Sequence, residues 1–112
     1  MALKRMVLEI GMGTDIRGAD STKAAARAVR DALWRNTLSI ATLMGKERSE
    51  MHLEINIGVP NPESVNKDAV LAVAPYGNGT VKVVEGGLRI PNDDGTDSTI
   101  LAHALVVVSL DV

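Results

Sequence analysis

The first pattern along the chain is an alternation of apolar and polar residues over positions 3–10, which predicts a strand. Met6, Leu8 and Ile10 fall on one side of that strand, whereas Val7 lies with charged neighbours on the other. Side chains of a strand point to opposite faces in turn. We therefore expect a first strand that is half buried.

From position 22 the pattern changes to the spacing of a helix. Small and aliphatic residues recur on one side of that helix, and most charged residues lie off it. The residues of this stripe are Ala24, Ala25, Ala28, Val29, Ala32 and Leu33. Asp20 or Ser21 is suited to cap the helix, because either side chain accepts a backbone N–H bond in the first turn. We expect the helix to end between Asn36 and Met44, before Gly45.

Positions 51–59 form the clearest strand, with an unbroken apolar series at odd positions and polar residues between them. Pro60 ends it, and Asn61 with Pro62 predicts the start of a second, shorter helix. The residues expected on the inner side of that helix are Val65, Ala69, Ala72 and Val73.

The remaining strands complete the fold class. A short β-branched strand is expected over 80–84, and Gly86 with Gly87 breaks it. Positions 99–110 are apolar on both sides, which is typical of a strand covered on both faces. The simplest way to cover the second face of this strand is contact with another subunit. The order β-α-β-α-β-β predicts a single α+β domain over 1–112, with a mixed sheet and two helices on one face.

Composition narrows the classes of function. The chain has 112 residues, of which 46% are hydrophobic but only 2% aromatic, so its core is aliphatic and modest, and self-association is expected to add stability. The net charge is −2 without a basic run, which argues against nucleic-acid binding. There is no cysteine, no run long enough for a membrane span and no signal-peptide pattern. We expect a soluble cytoplasmic protein.

The segment 11–20 is the strongest candidate for a site. It is expected to connect the first strand to the first helix, and it holds Gly11, Gly13 and Gly18 together with Asp15 and Arg17. The glycine amides are suited to cradle a phosphate or carboxylate, or they merely allow a tight turn. Arg17 is suited to a bidentate grip on an anion or to an ion pair, and Asp15 to a base, an orienting group or a turn-stabilising acceptor.

Further polar residues extend the candidate set. Glu54 and Asn56 share a strand face with His52, and they form either a pocket floor or hydrogen bonds across a subunit axis. Lys23 and Arg89 are candidate ligand-binding residues, with Arg89 contributed from a neighbouring subunit. His103 in an apolar strand is more often a core histidine than a ligand. We expect no resident metal and no cofactor.

Three features give the chain a resemblance to a known fold. They are the opening strand that runs into Ile16-Arg17-Gly18-Ala19, the break at Gly86-Gly87-Leu88, and the closing strand with Ala104-Leu105-Val106-Val107-Val108. This organisation resembles the trimeric monofunctional chorismate mutases, the Rid-type enamine deaminases and each repeat of the cyanuric acid hydrolases. The resemblance implies a homotrimer around a sheet barrel with sites between neighbouring subunits.

A second resemblance covers nearly the whole chain. The sequence Gly11-Met12-Gly13-Thr14-Asp15-Ile16-Arg17-Gly18, followed by Thr22-Lys23-Ala24, is similar to a small family of conserved hypothetical proteins with an N-terminal GxGxDxHG pattern. Arg17 stands where that pattern has histidine. A function that depends on that histidine, such as metal binding or proton transfer, is therefore not implied here.

These observations favour a homotrimer with a small-molecule site at the subunit interface, for a carboxylate or polar cyclic metabolite, and an enzyme of unknown reaction. Arg17 would hold the anion, and Asp15 would act as acid, base or orienting group. The first alternative is a non-catalytic metabolite-binding or scaffold protein. The second is a metal-dependent or cyclic-amide hydrolase, for which His52, His103 and Asp15 are the available metal ligands.

Overall fold

The computed structural model describes residues 2–34, 39–76 and 78–112. Its strands are β1 (Leu3–Asp15), β2 (His52–Val59), β3 (Asn78–Glu85), β4 (Leu88–Pro91) and β5 (Ser98–Asp111). Its α-helices are α1 (Ser21–Trp34), α2 (Ile40–Leu43) and α3 (Lys67–Leu71), with short 3-10 turns at Arg48–Glu50 and Pro62–Ser64.

The strands form one mixed sheet in the order β1-β5-β2-β3, and β4 also pairs with β5. β5 runs antiparallel to β1, β2 and β4, whereas β2 and β3 are parallel. The predicted α+β class with a mixed sheet is confirmed, and the described residues contain five strands where the sequence pattern predicted four. The strand last in sequence therefore lies at the centre of the sheet.

One face of the sheet, the helix face, packs against α1. All the residues predicted for the inner stripe of α1 are buried, and so are Met51, Leu53, Ile55, Ile57 and Val59 at the odd positions of the second predicted strand. The even-numbered residues of β5 from Ile100 to Leu110 are buried on the same face. Small side chains on both sides of this contact allow the helix to lie close to the strands. Asp20 caps α1, because its carboxylate accepts a bond from the Lys23 N–H at 3.0 Å.

The other face, the open face, is not covered by the described residues of the chain. Residues that lie opposite each other in neighbouring strands share a face, so the pairing assigns its members. Its principal residues are Arg5, Leu8, Ile10, Met12, Leu101, His103, Leu105, Val107, Asp111, Glu54, Asn56, Lys82 and Val84. The expectation that Met6, Leu8 and Ile10 share one face is wrong for Met6, since a β-bulge between Arg5 and Val7 shifts the register there.

The outer edge of β1 is covered by side chains of α1. The Met12 N–H donates to Asp31 Oδ2 at 2.9 Å, and Arg27 Nη1 donates to the Thr14 carbonyl at 2.7 Å. Unpaired N–H and C=O groups on an edge strand invite pairing with another chain. At Met12 and Thr14 those groups are already bonded within the chain.

Three glycines allow β3 to continue into β4 across the end of β2. The Gly86 N–H donates to the Val59 carbonyl at 2.9 Å, and a Cβ on Gly86 would lie 3.2 Å from the Gly58 α-carbon. Gly87 has a φ of +64°, and a Cβ there would collide with the Leu101 carbonyl. At the predicted break the chain therefore shifts sideways from β3, which pairs with β2, to β4, which pairs with β5. β4 follows β2 along the same edge of β5.

Two predicted helix features are corrected. Asn61 does not cap the second helix with its side chain, because Pro62–Ser64 is a 3-10 turn and the cap of α3 is Asn66, which accepts from the Ala69 N–H at 3.1 Å. The buried residue of α3 is Val70, whereas Ala69 and Ala72 are exposed. The structure describes the first helix to Trp34. The sequence predicted that this helix ends between Asn36 and Met44, and Asn36 lies outside the described residues. The next helix, α2, begins at Ile40.

Candidate functional site

The predicted glycine connection begins later than the sequence pattern indicated, because β1 continues to Asp15. Gly11 and Gly13 are therefore strand residues on the helix face, and both are buried. A Cβ on Gly11 would meet the Ala28 carbonyl and Ala32 backbone, and one on Gly13 would meet backbone atoms of Ala24 and Ala28. These two glycines allow α1 to approach the sheet, which is the packing role of glycine rather than a turn or an anion cradle.

The true connection is the segment 16–20, and its backbone is strained. Gly18 has a φ of +97°, and the next residue, Ala19, has a φ of +48°. A non-glycine residue at positive φ costs of order 1–3 kcal/mol and persists only where its surroundings hold it. The segment displays the side chains of Ile16 and Arg17, which are both exposed.

Side chains from three other positions hold this segment. The Gly18 N–H donates to both carboxylate oxygens of Asp97, at 3.0 and 2.9 Å. The Asp20 N–H donates to Asp15 Oδ2 at 2.9 Å, and Thr99 Oγ1 donates to the Ile16 carbonyl at 3.1 Å. The backbone amides of Gly18 and Asp20 are thus occupied by carboxylates of the chain itself. In this conformation the side chains, and not these amides, are available to an external anion.

Asp15 is a buried carboxylate at the end of β1, with 3% of its surface exposed. Its Oδ1 lies 3.6 Å from Arg27 Nη1, and its Oδ2 accepts the Asp20 N–H. The Arg27 side chain remains 53% exposed beyond this contact. Two of the roles considered for Asp15 fit this geometry. Asp15 is a structural hydrogen-bond acceptor for the Asp20 N–H, and it orients a cation, which is Arg27.

The cations near Asp15 surround an open depression. Its volume is about 520 Å³, and it is lined by Asp15, Ile16, Arg17, Lys23 and Arg27. We refer to it as the basic depression. Three lining residues are cationic and one is anionic, and that carboxylate already contacts Arg27 and a backbone amide. The basic depression therefore combines a cationic rim with a carboxylate that is turned inward.

The other candidate residues lie at different places in the sheet. Glu54 and Asn56 are on the open face, opposite Val107 and Leu105 of β5, whereas Asp15 is opposite Ile100. At about 3.3 Å per residue, the separation along β5 is roughly 16 Å or more. The Asn56 amide donates to the Leu105 carbonyl at 3.2 Å. One chain therefore does not bring Glu54 and Asn56 together with Arg17.

Arg89 is on β4, and its Nε donates to Ser98 Oγ at 3.1 Å. Ser98 lines a second depression, of about 510 Å³, together with Ile16, Arg17 and Asp97. Arg89 is thus linked through Ser98 to the neighbourhood of Arg17 within the same chain. The sequence interpretation had assigned that contribution to a neighbouring subunit.

The two histidines are far apart in one chain. His103 lies opposite Gly58, and His52 lies opposite Ser109, which is six residues further along β5. Asp15 is buried on the helix face and His103 is exposed on the open face. Within the described residues, no group of three or more His, Cys, Asp or Glu side chains is arranged to hold a metal ion.

Sequence reasoning missed two of the three residues that hold the 16–20 segment, Asp97 and Thr99. The acidic stretch with Asp93, Asp94 and Asp97 has the composition of a solvated loop, yet Asp97 accepts a hydrogen bond from the Gly18 N–H. Hydrogen bonds from the Gly18 and Ser98 amides lower the pKa of Asp97, and a bond from Thr96 lowers the pKa of Asp94. The contact between Asp97 and Gly18 joins positions 79 residues apart, so no local pattern predicts it. Arg27 is one of the charged residues that lie off the apolar stripe of the helix, a position that does not by itself indicate its contact with Asp15.

Comparison with known proteins identifies the family. The sequence profile of the family described as "Conserved hypothetical protein (Lin0512_fam)" matches residues 5–108. The chain belongs to this family. The resemblance to a conserved hypothetical family is thereby confirmed, and this membership carries no assigned activity. No curated protein matches the chain.

A solved structure from Nostoc punctiforme is similar over the full length of the chain. It is described as an FtsZ-like protein of unknown function. The two sequences are 38% identical, the match covers 100% of this chain and 99% of the other, and the TM-score is 0.89. The architecture is therefore shared by this relative. None of the helices in the described residues is long and apolar enough to cross a membrane.

Proposed function

We propose that this protein binds a small anionic metabolite, a carboxylate in the first instance, at the basic depression. The observation that carries the proposal is the convergence of Arg17, Lys23 and Arg27 around an inward-turned Asp15. Arginine pairs with a carboxylate through two parallel hydrogen bonds, and lysine adds a point charge. The basic depression offers both kinds of donor from two consecutive elements of the chain.

Arg27 is the anchored member of this set. Its Nη1 donates to the Thr14 carbonyl and faces Asp15, which restricts the guanidinium while leaving about half of the side chain exposed. A donor that is held before the ligand arrives loses less conformational entropy on binding. Arg27 is therefore the residue we expect to set the orientation of the anion.

Arg17 is the presented member. It lies two residues after the end of β1 and belongs to a segment whose backbone is bonded at Ile16, Gly18 and Asp20. Strain that is held by surrounding bonds is typical of functional segments. In the proposed site Arg17 closes over the anion, and Asp15 orients Arg27 and takes no direct part in proton transfer.

We further propose that the functional form is a homotrimer, with the anion site near a boundary between subunits. The apolar open face supports association. A neighbouring chain would also bring its own Glu54 and Asn56 toward the polar side of that boundary. An enzyme acting on the bound anion and a non-catalytic metabolite-binding protein both use this arrangement. A hydrolase that depends on His52, His103 and Asp15 as metal ligands is less well supported, because one chain separates the three.

The test is a thermal-shift series with small carboxylates, phosphates and cyclic amides. A ligand at about ten times its Kd adds about 1.4 kcal/mol, which raises the Tm of a domain of this size by roughly 5 °C. We expect a carboxylate to produce this shift in wild type and not in Arg17→Ala or Lys23→Ala. The matched control is Arg30→Ala, which removes the same charge from the exposed side of α1 outside the basic depression.

The outcomes separate the alternatives. A shift that is lost in Arg17→Ala and kept in Arg30→Ala supports the site. An equal shift in all the variants would indicate non-specific screening of charge, and it would contradict the assignment. If no class of anion raises the Tm of the wild type at millimolar concentration, the binding proposal is wrong and the scaffold alternative takes its place.

A further inference from the structure

The open face carries large apolar side chains that nothing in the described chain covers. Leu8, Met12 and Leu105 are 51%, 56% and 38% exposed, and Ile10 is 61% exposed. They are contiguous, because Leu8 pairs with Val107, Ile10 with Leu105, and Met12 with His103. Contiguous exposed apolar surface of this kind marks an interaction site.

We infer that the occupant of the open face is a second copy of this chain, and that His103 makes the contact sensitive to pH. This inference rests on the homo-oligomer proposed above. It identifies the open face as the surface through which the chains associate and His103 as the group that makes the association depend on pH. The charges of the open face argue for a copy. Arg5 and Lys82 are balanced there by Glu54 and Asp111, so its formal charge is zero with both histidines neutral. A face without net charge meets no overall repulsion from a copy of itself.

The size of the open face also suits a second copy. Its five strands contain 13, 8, 8, 4 and 14 residues. At the usual rise per residue and spacing between strands they span roughly 700 Å². A standard interface buries about 800 Å² on each partner. Association through the edge of β1 is opposed by Asp31 and Arg27, which already bond Met12 and Thr14.

His103 lies inside the apolar area. Along β5 its neighbours on the open face are Leu101 and Leu105, and across the sheet they are Met12 of β1 and Gly58 of β2. The titratable or charged groups that share this face are Arg5, His52, Glu54, Lys82 and Asp111. A second copy seated there places His103 in an apolar contact. Burial in such a contact favours the neutral form of histidine.

The consequence is that association weakens in acid. Histidine ordinarily changes its charge between about pH 5 and 8. A proton that binds the separated chains better than the assembled ones shifts the equilibrium toward the separated chains as the pH falls. Each unit of pH below the titration weakens association by about tenfold per linked proton.

The experiment is sedimentation equilibrium of the full chain at pH 7.5 and 5.5. We expect an assembled wild type at pH 7.5 with association at least about tenfold weaker at pH 5.5. Leu8→Glu places a charge in the open face and is expected to yield a folded monomer, checked by circular dichroism. Leu105→Glu is the second variant if Leu8→Glu does not fold. Leu43→Glu makes the same change on α2, where the side chain is 78% exposed, and is expected to remain assembled.

His103→Gln isolates the pH effect, because glutamine keeps a polar side chain that does not titrate. It is expected to lose less association than the wild type between pH 7.5 and 5.5. If wild type and His103→Gln lose association equally at pH 5.5, the role of His103 is overturned. If the wild type is assembled and its Leu8→Glu and Leu105→Glu variants remain assembled, the open face is not the interface, although the protein is still an oligomer. A wild type that is monomeric at both pH values overturns the oligomer itself, while the anion site is judged separately by thermal shift.

Discussion

The two faces of β1 have opposite characters. On the helix face Gly11, Gly13 and Asp15 are buried, although two of them have no side chain. On the open face Leu8, Ile10 and Met12 are more than half exposed. A strand in a small domain usually turns its large apolar residues toward its own helix. Here the glycines allow α1 to lie close, and the large residues are left exposed on the open face.

Full burial of a large aliphatic side chain is worth about 1.5–3 kcal/mol. The open face leaves much of that free energy unused within one chain. The helix face, by contrast, gains its stability from close approach, which tolerates little change. The two faces should therefore respond differently to substitutions at adjacent positions of β1.

The largest expected effect is from Gly13→Val. The added side chain would meet backbone atoms of Ala24 and Ala28, which cannot move without displacing α1. We expect the free energy of unfolding to fall by about 3 kcal/mol or more. Urea denaturation followed by circular dichroism measures this change.

The control for Gly13→Val is Met12→Val, the neighbouring position on the open face. In the separated chains it should change the free energy of unfolding by no more than about 0.5 kcal/mol. Two protein concentrations reveal any contribution from association. Similar losses in both variants would show that the two faces do not differ in the way described.

An intermediate effect is expected from Asp15→Ala, at the end of the helix face. The substitution leaves the Asp20 N–H without its acceptor and removes the carboxylate beside Arg27. We expect a loss of about 1–3 kcal/mol. Asp15→Asn keeps an oxygen for the Asp20 N–H and should lose less. An Asp15→Ala variant as stable as wild type would show that this carboxylate does not hold the connection.

The smallest effect is expected at Asp97, whose carboxylate holds the same segment from the exposed side. Its pKa lies below the ordinary 3.8, because amide hydrogen bonds stabilise the charged form. Its contribution is therefore present above pH 3.8 and is lost as the pH falls through the lower pKa of the folded state. Amide exchange at Gly18, followed by NMR from about pH 6 down to about 2, should show protection that is constant above pH 3.8 and is lost below it.

Asp97→Ala should lack this protection at every pH, whereas Asp93→Ala in the same loop should behave as wild type. Protection at Gly18 that persists in Asp97→Ala would contradict the assigned hydrogen bonds. Together with Asp15→Ala, this measurement compares a buried and an exposed carboxylate that hold adjacent parts of one segment.

Much of the fold follows from local pattern. The helical stripe from Ala24 to Leu33 and the alternation from Met51 to Val59 are confirmed, since each is long enough for its period to be unambiguous. The second helix was less well predicted. Its proline and asparagine are compatible with a 3-10 turn as well as a cap, and Asn66 rather than Asn61 makes the side-chain bond.

The candidate site was predicted only in part. Arg17 and Lys23 lie in one depression with Asp15, but Glu54 and Asn56 do not. Gly11 and Gly13 were predicted in a loop, because a glycine that packs against a helix and a glycine in a turn look alike in the sequence. Asp97 and Thr99 reach the segment through the pairing of β1 with β5, and such long-range contacts are set by the fold.

The central position of β5 has a consequence for how the chain folds. The register joins Leu3 to Asp111 and Asp15 to Ile100, so that the paired residues of the first and last strands lie roughly 85 to 108 positions apart in sequence. Closing so large a loop costs entropy before any contact compensates for it, and folds rich in such contacts form slowly. During synthesis β1 emerges first and waits for the strand that completes its sheet. Throughout that interval its large apolar side chains, Leu8, Ile10 and Met12, have no partner strand beside them, and apolar surface exposed during folding is prone to aggregate.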